Sequence, residues 1–269
     1  MSTQQTAKTR YVTSPNGPKF AYRQIGAALG VPLIVLTHFR GTMDKWDPLI
    51  INTLAAKRRV ITVDYLGVGL STGEVATSIR QSAADISLSF ELIKEAEVDF
   101  LGFSIGGSVA QMVALNSEPN KFKVPLSPND DVGSVAGNDQ GDAAAEAWWT
   151  RIHERSSSSC GEDVSEWLSS GYKNQGKSIK GQATQGHNFT ISADSSEGVE
   201  GAYNRLGDIK IPVLVANGSN DYMIPTSNSY LIYQKAPNCQ IILYPNSGHG
   251  FLFQYATTFV KHVELFLEA

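Results

Sequence analysis

The sequence predicts an α/β fold: a mostly parallel twisted sheet of about eight strands, starting antiparallel, flanked by helices and carrying an inserted cap. Three observations predict it. Short apolar runs end abruptly in loops, helical patterns lie between them, and one long segment of different composition interrupts the alternation.

The runs are Leu33–Thr37, Arg59–Val63, Val98–Phe103, Ile211–Ala216 and Gln240–Tyr244. They are nearly continuous rather than alternating, the habit of strands covered on both faces. Between them, Ile79 to Glu97 sets Ile79, Ala83, Ile86, Phe90 and Ile93 at three- and four-residue steps, an amphipathic helix. Ile105–Asn116 is rich in small and apolar residues, which predicts a buried helix. Tyr255 to Glu268 closes the chain with Phe259, Val263 and Phe266 on one face. Near the start, Arg10–Thr13 and Lys19–Gln24 flank Ser14-Pro15-Asn16-Gly17, a hairpin signal. Phe122-Lys123-Val124-Pro125-Leu126 reads as a short or irregular strand, since Pro125 cannot donate to a ladder.

The 269 residues suit one large α/β domain or two small ones. Residues 1–125 and 206–269 are expected to form the core and 126–205 an insertion, not a second domain. The insertion holds Ser127-Pro128-Asn129-Asp130-Asp131, the serine run 156–159 and three of the four tryptophans, Trp148, Trp149 and Trp167. Helical stretches are expected near 143–154 and 163–169.

A net charge of -4 with 18% charged residues gives no reason to expect nucleic acid or an anionic membrane as partner. Cys160 and Cys239 form no C-x-x-C pair, and no Cys/His cluster has zinc spacing, so neither metal, cofactor nor disulfide is expected. The polar stretch 1–10 lacks a signal-peptide core, and no apolar run approaches the ~20 residues of a membrane span. The expected location is the cytoplasm.

Chemistry concentrates at strand ends. Gly102-Phe103-Ser104-Ile105-Gly106 sits directly after a strand and before a helix. In that context G-x-S-x-G makes a sharp turn that projects the serine hydroxyl away from the sheet. Small residues two before and two after let strand and helix approach, and the helix N-terminus turns the Ile105 N–H toward a developing anion. The competing role for Ser104 is a plain helix cap. Leu36-Thr37-His38-Phe39-Arg40-Gly41 follows an earlier strand, where the Arg40 N–H, or else the Phe39 N–H, is placed to complete an oxyanion hole. His38 reads as a brace for that turn. Asp221, after the strand ending at Ala216, is either an orienting acid or a turn aspartate. His249 lies between two glycines after the last strand, and follows Ser104 and Asp221 in the order a hydrolase triad takes. An imidazole ordinarily titrates near neutrality, so His249 suits the base that activates the serine hydroxyl.

These residues make the chain resemble the α/β-hydrolase superfamily, in the branch of small esterases, lactonases, C–C hydrolases and cofactor-free haloperoxidases or perhydrolases. The resemblance covers about residues 10–125 and 205–269. It rests on His38-Phe39-Arg40-Gly41, the Asp64–Ser71 segment, Gly102–Gly107, Asn217–Asp221 and Ser247-Gly248-His249. It implies the α/β-hydrolase fold, a Ser104–His249–Asp221 triad, and an oxyanion hole from the Arg40 and Ile105 amides. It also implies a structural, turn-forming Asp64 and a substrate-selecting cap at the insertion. His38-Phe39 stands where the family commonly has His-Gly, so bulk replaces glycine beside the hole. Asp130 is the alternative acid, because some relatives supply it from the preceding strand.

The leading expectation is hydrolysis of a small, moderately hydrophobic carboxylic ester or lactone. Trp46, Phe103, Trp148, Trp149 and Phe251 are candidate pocket residues, with ordinary packing as their competing role. C–C bond hydrolysis or peracid formation by the same residues is the alternative, and a non-catalytic ligand-binding protein the alternative from another class. The expected partner is a small-molecule substrate, and a homodimer is compatible with all of this.

Overall fold

The computed structural model describes residues 2–27, 30–39, 41–116, 122–126 and 202–269. Its strands are β1 (Arg10–Thr13), β2 (Lys19–Ile25), β3 (Leu33–Leu36), β4 (Val60–Val63), β5 (Val98–Gly102), β6 (Phe122–Leu126), β7 (Val213–Gly218) and β8 (Cys239–Tyr244). They form one sheet in the order β1-β2-β4-β3-β5-β6-β7-β8. The β1–β2 and β2–β4 pairs are antiparallel, and every pair from β4 to β8 is parallel. The expected hairpin start and parallel remainder are both present. Most of the expected insertion, including Trp148, Trp149, Trp167, Asp130 and Cys160, lies outside the described residues, as does Arg40.

Strands β3, β4, β5 and β7 are buried along their whole length, and period-two alternation sends neighbouring residues into opposite layers. Ile34, Leu36, Phe100, Val213 and Val215 join one core. Leu33, Val35, Leu101, Leu214 and Ala216 join the other. Helices α1 (Pro48–Lys57) and, at the chain's end, Ala256–Glu268 cover the second layer. Helices α2 (Ile79–Ile93) and α3 (Ile105–Asn116) cover the first. Burying one such side chain is worth about 1.5–3 kcal/mol, so each strand needs both helical layers. The remaining helices are α4 (Ala202–Arg205), α5 (Thr226–Lys235) and α6 (Phe251–Gln254), which makes the last helix α7. Among the described residues no helix is long and apolar enough to cross a membrane.

Helices α2 and α1 differ from the sequence expectation, while β6 shows the irregularity expected from Pro125. Helix α2 stops at Ile93 and does not run to Glu97, because Lys94 turns left-handed and its N–H closes onto the Phe90 and Glu91 carbonyls. Helix α1 was not anticipated, although Asp47 caps Leu49 N–H and Pro48 opens the first turn, both ordinary start signals. Strand β6 is a five-residue member of the sheet with parallel partners on both sides. Its ladder to β5 pairs Phe122, Lys123 and Leu126 and steps over Val124 and Pro125, the position with no N–H to give.

The topology locates a site before any side chain is considered. Strand β3 lies between β4 and β5, so the chain leaves β3 toward one edge and β5 toward the other. The connections depart on opposite faces, through α1 and α3. Ligands of open α/β sheets bind at the carboxyl ends of strands at such a switch point. Here that point lies between the loop 37–43 and the turn at Ser104.

The turn is held by contact, not by a flexible hinge. A Cβ on Gly106 would lie 2.3 Å from the Leu36 carbonyl oxygen and 2.9 Å from that of Thr37. One on Gly102 would lie 2.3 Å from the Gly106 oxygen. A second fixed point is the Asp64 carboxylate at the end of β4, which accepts from Met43 N–H at 2.7 Å and Leu70 N–H at 2.8 Å. The Ser71 hydroxyl donates to the Asp64 carbonyl at 2.7 Å and accepts from Ala21 N–H, closing the 64–71 turn onto β2. This is the turn-forming role expected of Asp64.

Two outcomes follow. Gly106→Ala forces a Cβ into backbone and is expected to lower stability by about 1–3 kcal/mol in a denaturant titration. Burial pushes the Asp64 carboxyl up from 3.8 to about 7, against the Leu70 and Met43 N–H groups, which pull it down. Because the folded value is the higher one, the fold favours the protonated form. That contribution is complete below 3.8 and is lost as pH rises through about 7. The melting temperature of the native chain, measured relative to Asp64→Asn, should therefore fall between pH 4 and about 7; a difference that does not vary with pH contradicts this.

Candidate active site

Ser104 is the residue between β5 and α3, and its backbone takes φ 58°. Left-handed backbone costs an L-residue with a Cβ about 1–2 kcal/mol, so something must hold it there. The restraints are local. Phe103 N–H bonds the Leu36 carbonyl at 3.1 Å, Gly106 N–H the Phe103 carbonyl at 3.0 Å, and Gly107 N–H the Ser104 carbonyl at 2.7 Å. Such strain recurs at functional sites and marks the residue for scrutiny. Ser104 is buried, 5% exposed, at the switch point. Ile105 is the first residue of α3, at the positive end of that helix.

Asp221 and His249 come from the loops after β7 and β8. Gly218 lets these loops meet: a Cβ there would lie 2.3 Å from the Ser247 oxygen and 2.4 Å from the Gly248 oxygen. Asn220 N–H bonds the Ser247 carbonyl, and Ser219 N–H the Tyr244 carbonyl, each at 2.8 Å. Across this seam His249 Nδ1 stands 2.9 Å from Asp221 Oδ2. The other carboxylate oxygen accepts from Met223 N–H at 2.9 Å and Ile224 N–H at 3.0 Å. Asp221 thus serves its turn through Oδ1 and faces the histidine through Oδ2. An ionised carboxylate only accepts, so with Asp221 in that form the bond needs its proton on Nδ1. Both residues are buried.

The glycines beside His249 do not act through unusual backbone angles. Gly250 has φ -84°, and the left-handed residue of this loop is Asn246 at φ 50°. A Cβ on Gly248 would lie 3.4 Å from the Asn220 carbonyl oxygen, an ordinary contact.

Phe103 ties the elements together. Its ring centroid is 5.1 Å from that of His249, 5.7 Å from His38, 5.5 Å from Phe253 and 6.3 Å from Trp46. The residue immediately before the strained serine thus packs against the imidazole of the Asp221–His249 pair. Its number could be read from the motif but its bridging position could not. His38 also closes its own turn, with Nδ1 2.6 Å from the Phe39 carbonyl and Gly41 N–H bonded to the His38 carbonyl. Phe39 is partly buried in the same loop. Trp46 and Phe251, named as pocket candidates, lie in the packed core. Phe251 stacks on Tyr244 at 5.1 Å and meets Phe259 edge-on at 5.7 Å. Their large apolar bodies gain more from the α1 and α7 layer than from a wet pocket.

Comparison with known proteins bears on the family and the fold. Residues 34–262 match the model of the Alpha/beta hydrolase family. No curated protein matches the chain in sequence. Among solved structures it is similar to an alpha/beta hydrolase fold protein from Chitinophaga pinensis, with 28% identity, TM-score 0.74 and full coverage of both chains. It is similar in fold to the esterase RhEst1 from Rhodococcus sp. ECU1013, with 22% identity, TM-score 0.75, and 97% and 98% of the two chains covered. It also shares its fold with the enol-lactonase from Burkholderia xenovorans LB400, with 18% identity, TM-score 0.72, and 97% and 100% covered. With the family match running from β3 into α7, the chain belongs to the alpha/beta hydrolase family.

Proposed function

We propose that the protein is a serine-dependent hydrolase of small, moderately hydrophobic carboxylic esters or lactones, working through an acyl-enzyme on Ser104. The observation that carries this reading is the buried Asp221–His249 pair, whose imidazole packs on the residue preceding a serine held at φ 58°. In the proposed reaction His249 Nε2 takes the Ser104 proton as Oγ bonds to the ester carbonyl carbon. The carbonyl electron pair moves onto its oxygen, which the Ile105 N–H and an amide of the loop after β3, Arg40 or Phe39, stabilise. Collapse expels the alcohol with the proton from His249, and water repeats the sequence to release the acid. Asp221 keeps Nδ1 protonated and steadies the imidazolium. Residues 126–205, with Trp148 and Trp149, are proposed as the cap that selects substrate, beside Phe39 of the loop after β3.

Three measurements test the reading. Ser104→Ala is expected to lose turnover of a p-nitrophenyl ester and labelling by a fluorophosphonate probe, while its unfolding midpoint stays within about 0.5 kcal/mol of the native chain's; retained turnover sinks the mechanism. Asp221→Asn is expected to lower kcat roughly 10⁴-fold by favouring the wrong imidazole tautomer. A loss smaller than tenfold would return Asp221 to a turn role. A panel of ester, lactone and β-diketone substrates should show turnover of the first two. Preference for the diketone would replace the ester assignment by C–C hydrolysis.

A further inference from the structure

The loop that follows β3 carries one oxyanion amide in the reading above, that of Arg40 or Phe39, and also includes His38 and Gly41. Donors serve an oxyanion only within about 2.7–3.1 Å, so this backbone must be held to a few tenths of an ångström. At its near end, Gly106 abuts the Leu36 and Thr37 carbonyls. At its far end the Met43 peptide is gripped on both sides. Its N–H donates to Asp64 Oδ1 at 2.7 Å, and its carbonyl accepts from the buried Gln4 side-chain amide at 2.6 Å. The next residue after Asp64, buried Tyr65, reaches back to the near end with its hydroxyl 3.5 Å from the Thr37 carbonyl. Asp64 cannot drift, since its second oxygen holds Leu70 N–H and its carbonyl holds Ser71.

We propose that Asp64 is a positioning residue for the reaction: together with Tyr65 it clamps both ends of the loop 37–43 and so sets its backbone amides relative to Ser104. The end of β4 thereby acts on chemistry at β3 and β5 without touching substrate. The inference rests on the Ser104 reading, and its test separates the two.

The test uses the full chain with Asp64→Asn, which leaves one acceptor for Met43 N–H but opposes Leu70 N–H with a second donor. Assayed at pH 8 with p-nitrophenyl acetate, the variant should lose about 10–100-fold in kcat, the scale of a small misplacement, with KM within about twofold. The Ki of an aryl trifluoromethyl ketone, which forms an oxyanion on bonding to the serine, should rise by the same factor. Binding of the matching methyl ketone should not change. A merely structural residue would move stability without this split. A folded Asp64→Asn with native kcat, or a kcat loss without the parallel rise in Ki, overturns the proposal. Should Asp64→Asn fail to fold, Tyr65→Phe decides: reduced kcat at an unchanged melting temperature supports the clamp, and native kcat overturns it. Turnover retained by Ser104→Ala in the same assay would instead remove the triad beneath both.

Discussion

The approach of Gly106 to the Leu36 and Thr37 carbonyls is the contact on which the rest of this structure depends. It admits no side chain, so it brings the first turn of α3 onto the end of β3 at a fixed distance. From that distance follow the left-handed serine between β5 and α3 and the closeness of the loop 37–43 to it. The packing of Phe103 against both His38 and His249 also follows. The backbone strain at Ser104 is small beside the burial of the two core layers, which is how the fold sustains it.

The fold was largely legible in the sequence because each inner strand is covered on both sides. Runs such as Leu33–Leu36 and Val213–Ala216 alternate between layers without ever becoming polar, a pattern few other architectures need. Helices α2, α3 and α7 were legible for the same reason, through stripes that had to meet the sheet. Helix α5 was not, because of its ten residues only Ser229 and Ile232 are buried and its face is mostly polar. The end of α2 was missed because a lysine, not a glycine, adopts the left-handed cap.

At the site, residue identities could be read from motifs but contacts could not. Ser104, Asp221 and His249 stood out by order and by the strands before them. The two-sided use of the Asp221 carboxylate depends on the fold of the following turn, which no spacing encodes. The left-handed backbone of the His249 loop falls at Asn246, where no glycine marks it. Asp64 looked purely local, because Met43 lies 21 residues away and nothing in either segment announces the other.

The seam between the loops after β7 and β8 has a consequence for how such a protein diversifies. The bonds that join Ser219 and Asn220 to Tyr244 and Ser247, and the carbonyls that crowd Gly218, all come from residues 217–248. The acid and the imidazole are therefore assembled by a self-contained clasp at one edge of the sheet. Residues 126–205 enter the chain elsewhere, between β6 and α4. Substitution or wholesale exchange of that stretch leaves the clasp's own bonds in place. On the proposed reading, selectivity thus drifts across generations while the Asp221–His249 pair is inherited intact.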